Sequence, residues 1–273
     1  MYPTVLEDHL SARKAAGRKL LVPYVTAGVD RDWLRLAEAV VAAGADAVEI
    51  GIPFSDPSID GPTIQEASAK ALAGGATPAS VLDALSDTRL GVPLVAMTYY
   101  NLVFRAGHQR FAADLAAAGF SGTVVPDLPP EQAGDWTASA DQAGVANVLL
   151  VAPVTPDERI RMIAERTRGF IYGVSVMDTT GEREALSVTA AQVAKRVKAR
   201  TGRPVLIGFG VSSASHAHQI ARDADGVVVA SALMRRVLDG MDVDGAAELV
   251  VRMRAALDEL APVTHATVHR DDA

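Results

Sequence analysis

The chain contains no cysteine, which excludes disulfides, thiolate metal sites and a cysteine nucleophile. It lacks an apolar run long enough to span a membrane, and residues 1–8 carry neither a basic n-region nor an apolar h-region. The expectation is therefore a soluble, cytoplasmic protein. It also lacks any Lys/Arg cluster beyond what one helix face carries, and its formal charge of −7 argues against a nucleic-acid partner. An acidic chain still binds an anion when the site is built from backbone N–H groups and helix termini. What the chain does have is apolar residues, 49% of 273, enough to bury a sizeable core in one α/β barrel of ordinary length.

Glycine punctuates a weak internal repeat. Ala43-Gly44-Ala45-Asp46-Ala47-Val48-Glu49-Ile50 is echoed by Ala118-Gly119-Phe120-Ser121-Gly122-Thr123-Val124-Val125 and by Ala143-Gly144-Val145-Ala146-Asn147-Val148-Leu149-Leu150. A degenerate copy runs Asp223-Ala224-Asp225-Gly226-Val227-Val228-Val229. Each copy reads as a helix end, a Gly suited to the left-handed cap, a short loop and a β-branched strand. Eight apolar runs follow, near 20–26, 47–52, 94–99, 123–127, 147–152, 170–175, 205–209 and 227–230. Their hydrophobicity is continuous rather than alternating, as in parallel strands covered on both faces.

Helical patterns fill the gaps. Trp33, Leu36, Ala37, Val40 and Val41 share one face at helical spacing. Thr77-Pro78 predicts an N-cap with proline at the first helical position, and Thr155 with Glu158 predicts a capping box. Thr4 with Glu7 predicts a helix ahead of the first strand, able to cover the lower end of a barrel. Eight strand–helix units without a linker give a (β/α)8 TIM barrel with an extra N-terminal helix, one domain over residues 1–273. An open doubly wound sheet fits less well, because no glycine fingerprint follows the first strand. The polar tail from about residue 264 is expected to fray.

In such barrels the functional groups collect at the C-terminal ends of the strands. The segment Ala47-Val48-Glu49-Ile50-Gly51-Ile52-Pro53-Phe54-Ser55-Asp56-Pro57-Ser58-Ile59-Asp60-Gly61 begins as a buried strand yet carries a glutamate. A carboxylate there is costly to desolvate unless it is paired or its raised pKa is used. Glu49 reads either as a buried ion-pair partner or as a general acid/base, and its place near the barrel mouth favours the second. Asp60 and Asp56 lie in a Pro/Gly loop where aspartates usually cap turns, and Asp127, before Leu128-Pro129-Pro130, reads equally as a cap or a site group. Gly208-Phe209-Gly210-Val211-Ser212 after strand seven and Ala230-Ser231 after strand eight sit where barrels of this type grip phosphate. Residues 176–183, after strand six, read as a lid over a phosphorylated substrate or as a plain surface loop. His9, His108, His216, His218, His265 and His269 fall on helices or in the tail, and no metal is assigned.

Together these landmarks resemble the tryptophan synthase alpha subunit family over nearly the whole chain. The matching motifs are Val22-Pro23-Tyr24-Val25-Thr26-Ala27-Gly28, residues 49–65, Met97-Thr98-Tyr99-Tyr100-Asn101, Val125-Pro126-Asp127-Leu128-Pro129 and Gly208-Phe209-Gly210. The resemblance implies retro-aldol cleavage of indole-3-glycerol phosphate to indole and glyceraldehyde 3-phosphate without a cofactor, beside a beta chain that uses pyridoxal phosphate. It implies Glu49 as the acid/base and Asp60 as the group that holds the indole N–H and stabilises positive charge on the ring. It implies substrate contacts from Tyr24, Tyr99, Tyr172, Thr180 and Phe209, and a phosphate grip from Gly181, Gly208, Gly210, Ala230 and Ser231.

Departures from the family pattern cluster at the same place. Ser58-Ile59 stands for Leu-Ala, Asp178-Thr179 for Gly-Val in the lid, Ala230 for a glycine and Tyr24 for a phenylalanine. Asp178 brings a negative charge toward Asp56 and Asp60, which disfavours lid closure. The competing expectations are a stand-alone lyase that releases free indole, a non-catalytic barrel that regulates a partner, and another phosphate-binding barrel enzyme. No lysine ends a strand, which argues against Schiff-base chemistry in the last of these.

Overall fold

At each full copy of the repeat the helix stops on a glycine in the left-handed region: Gly44 (φ 98°), Gly119 (φ 87°) and Gly144 (φ 74°). An L-side chain adopts this conformation only at a cost, so glycine here both ends the helix and aims the chain into the next strand. A computed structural model of the chain describes residues 4–174, 183–208 and 210–261, with only the backbone described for 183–188. Its strands are β1 Leu20–Thr26, β2 Val48–Gly51, β3 Leu94–Met97, β4 Phe120–Val124, β5 Ala146–Val148, β6 Leu150–Val151, β7 Ile171–Val174, β8 Val205–Gly208 and β9 Gly226–Val229. All pairings are parallel, in the order β5-β4-β3-β2-β1-β9-β8-β7-β6.

The two ends of that order are halves of one strand. β5 pairs with β4 and β6 with β7, and only Leu149 separates them. Tyr172 N donates to Leu149 O at 3.0 Å, and Arg168 N to Asn147 O at 2.8 Å, so the fifth strand closes the ring. Eight barrel strands alternate with helices, as the apolar runs predicted. Most predicted strand bounds agree within two residues.

The predicted fourth strand, 123–127, is a correction. β4 starts directly after Gly119 and ends at Val124, where a turn closed by Leu128 N on Val125 O begins. Thr155 is another. Helix Asp157–Arg166 has no side-chain cap bond, and Thr155 Oγ1 instead accepts from Ala152 N at 3.0 Å. The Thr77 cap holds, with Ser80 completing the capping box.

The lower end of the barrel is plugged. Thr4 caps helix Val5–Ala15 by accepting from Glu7 N, and Leu6 and Leu10 of that helix are fully buried. Leu6 occupies the space that a Cβ on Gly122 or Gly169 would need, at 2.5 and 2.7 Å. Glu7 pairs with Arg168 at 3.2 Å and with Arg203, fastening the plug to the loops that enter β7 and β8.

Two aspartates at matching places in the repeat lock this end. Asp46, 1% exposed, accepts from Leu21 N at 2.9 Å, Arg18 Nε at 2.7 Å and Arg254 Nη1 at 3.2 Å. Asp225 accepts from Val205 N at 3.0 Å and Lys198 Nζ at 2.9 Å, with Lys14 at 3.2 Å. Burial alone would raise the Asp225 carboxyl, but the bonds from Lys198 and Val205 N outweigh it and hold it below the usual range. Among the described residues no helix is long and apolar enough to cross a membrane.

Asp46→Ala leaves a backbone N–H and two guanidinium groups without their acceptor. Losing one partner of a buried ionic cluster costs about 3–5 kcal/mol. The urea midpoint is expected to fall accordingly with an unchanged slope. A loss under about 1 kcal/mol would show that the cluster is not structurally important.

Candidate active site

Side chains on a strand alternate between faces, so one inward residue in a parallel barrel predicts the rest. Tyr24 on β1 is the register partner of Glu49 on β2, and both line a cavity of about 330 Å³ at the C-terminal ends of the strands. Around the ring the same alternation brings Met97 opposite Val124 and Leu150 opposite Tyr172, with Val228 completing the wall. The wall is almost wholly apolar. Gly51, two residues beyond Glu49 on the same face, supports the Tyr24 ring: a Cβ there would lie 1.8 Å from the Tyr24 hydroxyl. That hydroxyl accepts from Thr26 Oγ1 at 3.3 Å.

Glu49 is 2% exposed, and its Oε2 has no hydrogen-bond partner among the described residues. Burial, and secondarily the charge of Asp60, push its carboxyl up to about 8. Uncompensated desolvation favours the neutral acid, the opposite of what a structural ion pair would do.

Asp60 reaches the cavity from the loop after β2. Its N–H donates to Pro57 O at 3.1 Å, and its carbonyl accepts from Gln65 Nε2 at 2.8 Å. The preceding Ile59 N donates to the Tyr99 hydroxyl at 3.2 Å, and Tyr99 stacks on Phe54 with centroids 5.1 Å apart. Burial raises Asp60 to about 6, against a hydrogen bond from Tyr99 that lowers it. Near pH 7 Glu49 therefore holds its proton and Asp60 does not. One cavity thus carries a neutral acid and a carboxylate, separated by environment rather than by residue type. Burial also raises the Tyr24 and Tyr172 phenols, which stay protonated.

The polar end of the cavity lies at the loops that follow β8 and β9. Gly210 (φ 76°), Ser212, Ala230, Ser231 and Ala232 line it. Helix Ser231–Leu238 starts there without a side-chain cap bond, leaving its first N–H groups directed outward. An anion fits such an end. Among the described residues no three His, Asp or Glu side chains converge as a metal ion would require.

Of the residues singled out from sequence, Glu49, Asp60, Tyr24, Tyr172, Gly210, Ala230 and Ser231 share this cavity. Tyr99 stands behind the Asp60 loop instead of lining the space. Gly208 sits beneath the Tyr172 ring, where a Cβ would lie 2.4 Å from ring atoms. Thr180, Gly181 and Phe209, together with Asp178 and Thr179, lie outside the described residues. Asp127 is a cap: its Oδ1 accepts from Tyr100 N at 2.8 Å, at the start of helix Tyr100–Ala106. Sequence reasoning missed the apolar wall of Met97, Val124, Leu150 and Val228, and also Thr63 and Ile64. Counting by two from Glu49 along each paired strand would have found the wall.

A carboxyl whose native pKa is raised binds its proton more tightly folded than unfolded. Its contribution to stability is complete below 4.5 and is lost as pH rises to about 8. Glu49→Gln carries no such proton, so the variant is expected to gain on the wild type as pH rises from 5 to 9, by on the order of a few kcal/mol. Urea unfolding at several pH values measures this, and a difference that does not vary with pH contradicts a raised Glu49.

The family model described as tryptophan synthase alpha chain matches residues 10–264. The tryptophan synthase alpha chain of Thermobifida fusca is 42% identical over 269 residues, covering 93% of this chain and 99% of its own. That of Streptomyces coelicolor is 41% identical, covering 92% and 94%. A solved structure of Mycobacterium tuberculosis tryptophan synthase superposes with a TM-score of 0.86 at 37% identity, covering 94% of this chain and 99% of that one. Tryptophan synthase subunit alpha from Legionella pneumophila gives 0.85 at 32% identity, covering 94% and 100%.

Proposed function

The chain belongs to the tryptophan synthase alpha chain family, and from that membership and the cavity we propose that it cleaves indole-3-glycerol phosphate to indole and glyceraldehyde 3-phosphate, with Glu49 and Asp60 carrying the chemistry. The observation that supports this reading most is that Glu49, buried with Oε2 unpartnered among the described residues, and Asp60 line one largely apolar cavity whose burial raises both carboxyls. The indole ring fits the wall of Met97, Val124, Leu150 and Tyr172, and the phosphate fits the polar end at Gly210 and Ser231.

In this reading Glu49 starts as the neutral acid and protonates indole C3, which places positive charge on the ring. The Asp60 carboxylate accepts the ring N–H and lowers the energy of that cation. Glu49, now a carboxylate, removes the proton from the hydroxyl on the side-chain carbon attached to C3. The carbon–carbon bond breaks, its electron pair returns to the ring, and the side-chain carbon becomes the aldehyde. Glu49 is left protonated for the next cycle. A carboxyl near 8 suits both halves, because neither protonation state is far out of reach at neutral pH.

The same reading supplies a cytoplasmic setting and a partner, a beta chain that uses pyridoxal phosphate. Ile59, which also lines the cavity mouth, Phe104 and Val154 are exposed large apolar side chains on segments that follow β2, β3 and β6, all at the end of the barrel that carries the cavity. They offer a contact surface beside the site.

Glu49→Gln preserves shape but cannot exchange protons. Its kcat is expected to fall by about 10²–10⁴-fold, the range for loss of a general acid/base, while binding of glycerol phosphate is retained. Indole release under saturating substrate measures the first and calorimetric titration the second. Near-wild-type turnover would remove Glu49 from the mechanism.

A further inference from the structure

Two walls of the cavity are tied together from outside it. Helix Pro62–Ala73 starts two residues after Asp60, and its first turn brings Thr63 and Ile64 to the cavity. Helix Ser231–Leu238 brings Ser231 and Ala232 to the polar end. Arg235 lies one turn beyond Ser231, on the same face of that helix. Its Nη2 donates to Glu66 Oε2 at 2.6 Å and to Thr63 Oγ1 at 3.3 Å, while its Nη1 lies 3.6 Å from Asp239 on its own helix. Thr63 is thus a lining residue held from behind by a side chain of the wall on the other side of β1.

We propose that Arg235 is a positioning residue for the reaction: by bonding Thr63 and Glu66 it fixes the distance between the phosphate end of the cavity and the Asp60 wall. This inference rests on the proposed function. A substrate anchored by its phosphate at Ser231 presents its ring to Asp60 only if the two walls keep their spacing. Each wall has a separate mooring elsewhere. Met234 Sδ accepts from Thr26 N at 3.3 Å, which ties the Ser231 helix to β1, and the Ile59–Tyr99 bond ties the Asp60 loop to β3. The Arg235 bonds to Thr63 and Glu66 join the walls directly. Both partners are about half exposed (41% and 53%), and such a pair contributes little to global stability. Misplacing a reacting group by about an ångström, in contrast, costs on the order of a hundredfold in rate. The effect of Arg235 therefore falls on turnover.

Arg235→Met and Glu66→Gln should each lower kcat by about tenfold, part of the loss a misplaced group causes, with KM changed little because the phosphate contacts remain. A looser wall admits water to Asp60, so the acid limb of the kcat profile should move to lower pH. Arg235→Lys, which keeps the charge, should recover most of the loss, and thermal midpoints should stay near wild type. Asp60→Asn is run in parallel. If it is impaired while Arg235→Met and Glu66→Gln keep kcat within about twofold, the inference fails and the functional reading stands. If Asp60→Asn itself turns over normally, the functional reading fails. A kcat loss with an unmoved acid limb, or one that follows a fall in thermal midpoint, would also overturn the positioning role.

Discussion

A carboxyl group buried in an apolar wall is the constraint to which the upper half of this molecule answers. Glu49 sits on β2 with one oxygen unpartnered among the described residues, and the desolvation of that oxygen holds the proton in place. The surroundings are fitted to keep it so. Gly51 leaves room for the Tyr24 ring, Gly208 leaves room for the Tyr172 ring, and the two phenols complete the wall. Adding a cation here would convert an acid into a structural ion pair. Among the described residues none that lines the cavity is Lys, Arg or His.

The lower half treats the same chemistry in the opposite way. Asp225 is also largely buried, yet it accepts from a backbone N–H and a lysine and is held below the usual range. Asp46, its counterpart in the repeat, has three donors. One barrel thus uses satisfied carboxylates to lock its closed end and holds an unsatisfied one in the cavity at its open end, where the proposed chemistry uses it. This is the separation of stability and function by barrel face that parallel α/β barrels permit. Asp60 lies between the extremes, partly shielded and steadied by the Tyr99 bond, and it remains ionised where Glu49 does not.

The barrel was legible because its period is simple. Left-handed glycines at 44, 119 and 144 end helices where the repeat suggested, and continuous apolar runs mark the buried parallel strands. The bounds that failed did so for local reasons. Residues 123–127 look like strand, but the chain leaves the sheet at Val124 and turns at Val125. Thr155 looks like a helix cap, but its hydroxyl is engaged by Ala152 N. Glu49 could be singled out because a charge in an apolar run is anomalous. The apolar lining could not, since Val124 or Leu150 is typical of any barrel strand until register decides which face it takes. The Arg235 tie to Thr63 and Glu66 joins residues about 170 apart in sequence and left no local trace. Tyr99 reads as a substrate contact from its motif, while its contacts make it a support for the Asp60 loop.

The central claim is that Glu49 is a neutral acid at physiological pH because its site desolvates it. A direct titration tests this: infrared difference spectra of the protonated carboxyl stretch, wild type against Glu49→Gln, followed from pH 4 to pH 10. The account predicts a carboxylic-acid band that persists through neutrality and disappears near pH 8. A band already gone by about pH 5, the ordinary range of a hydrated glutamate, would contradict it.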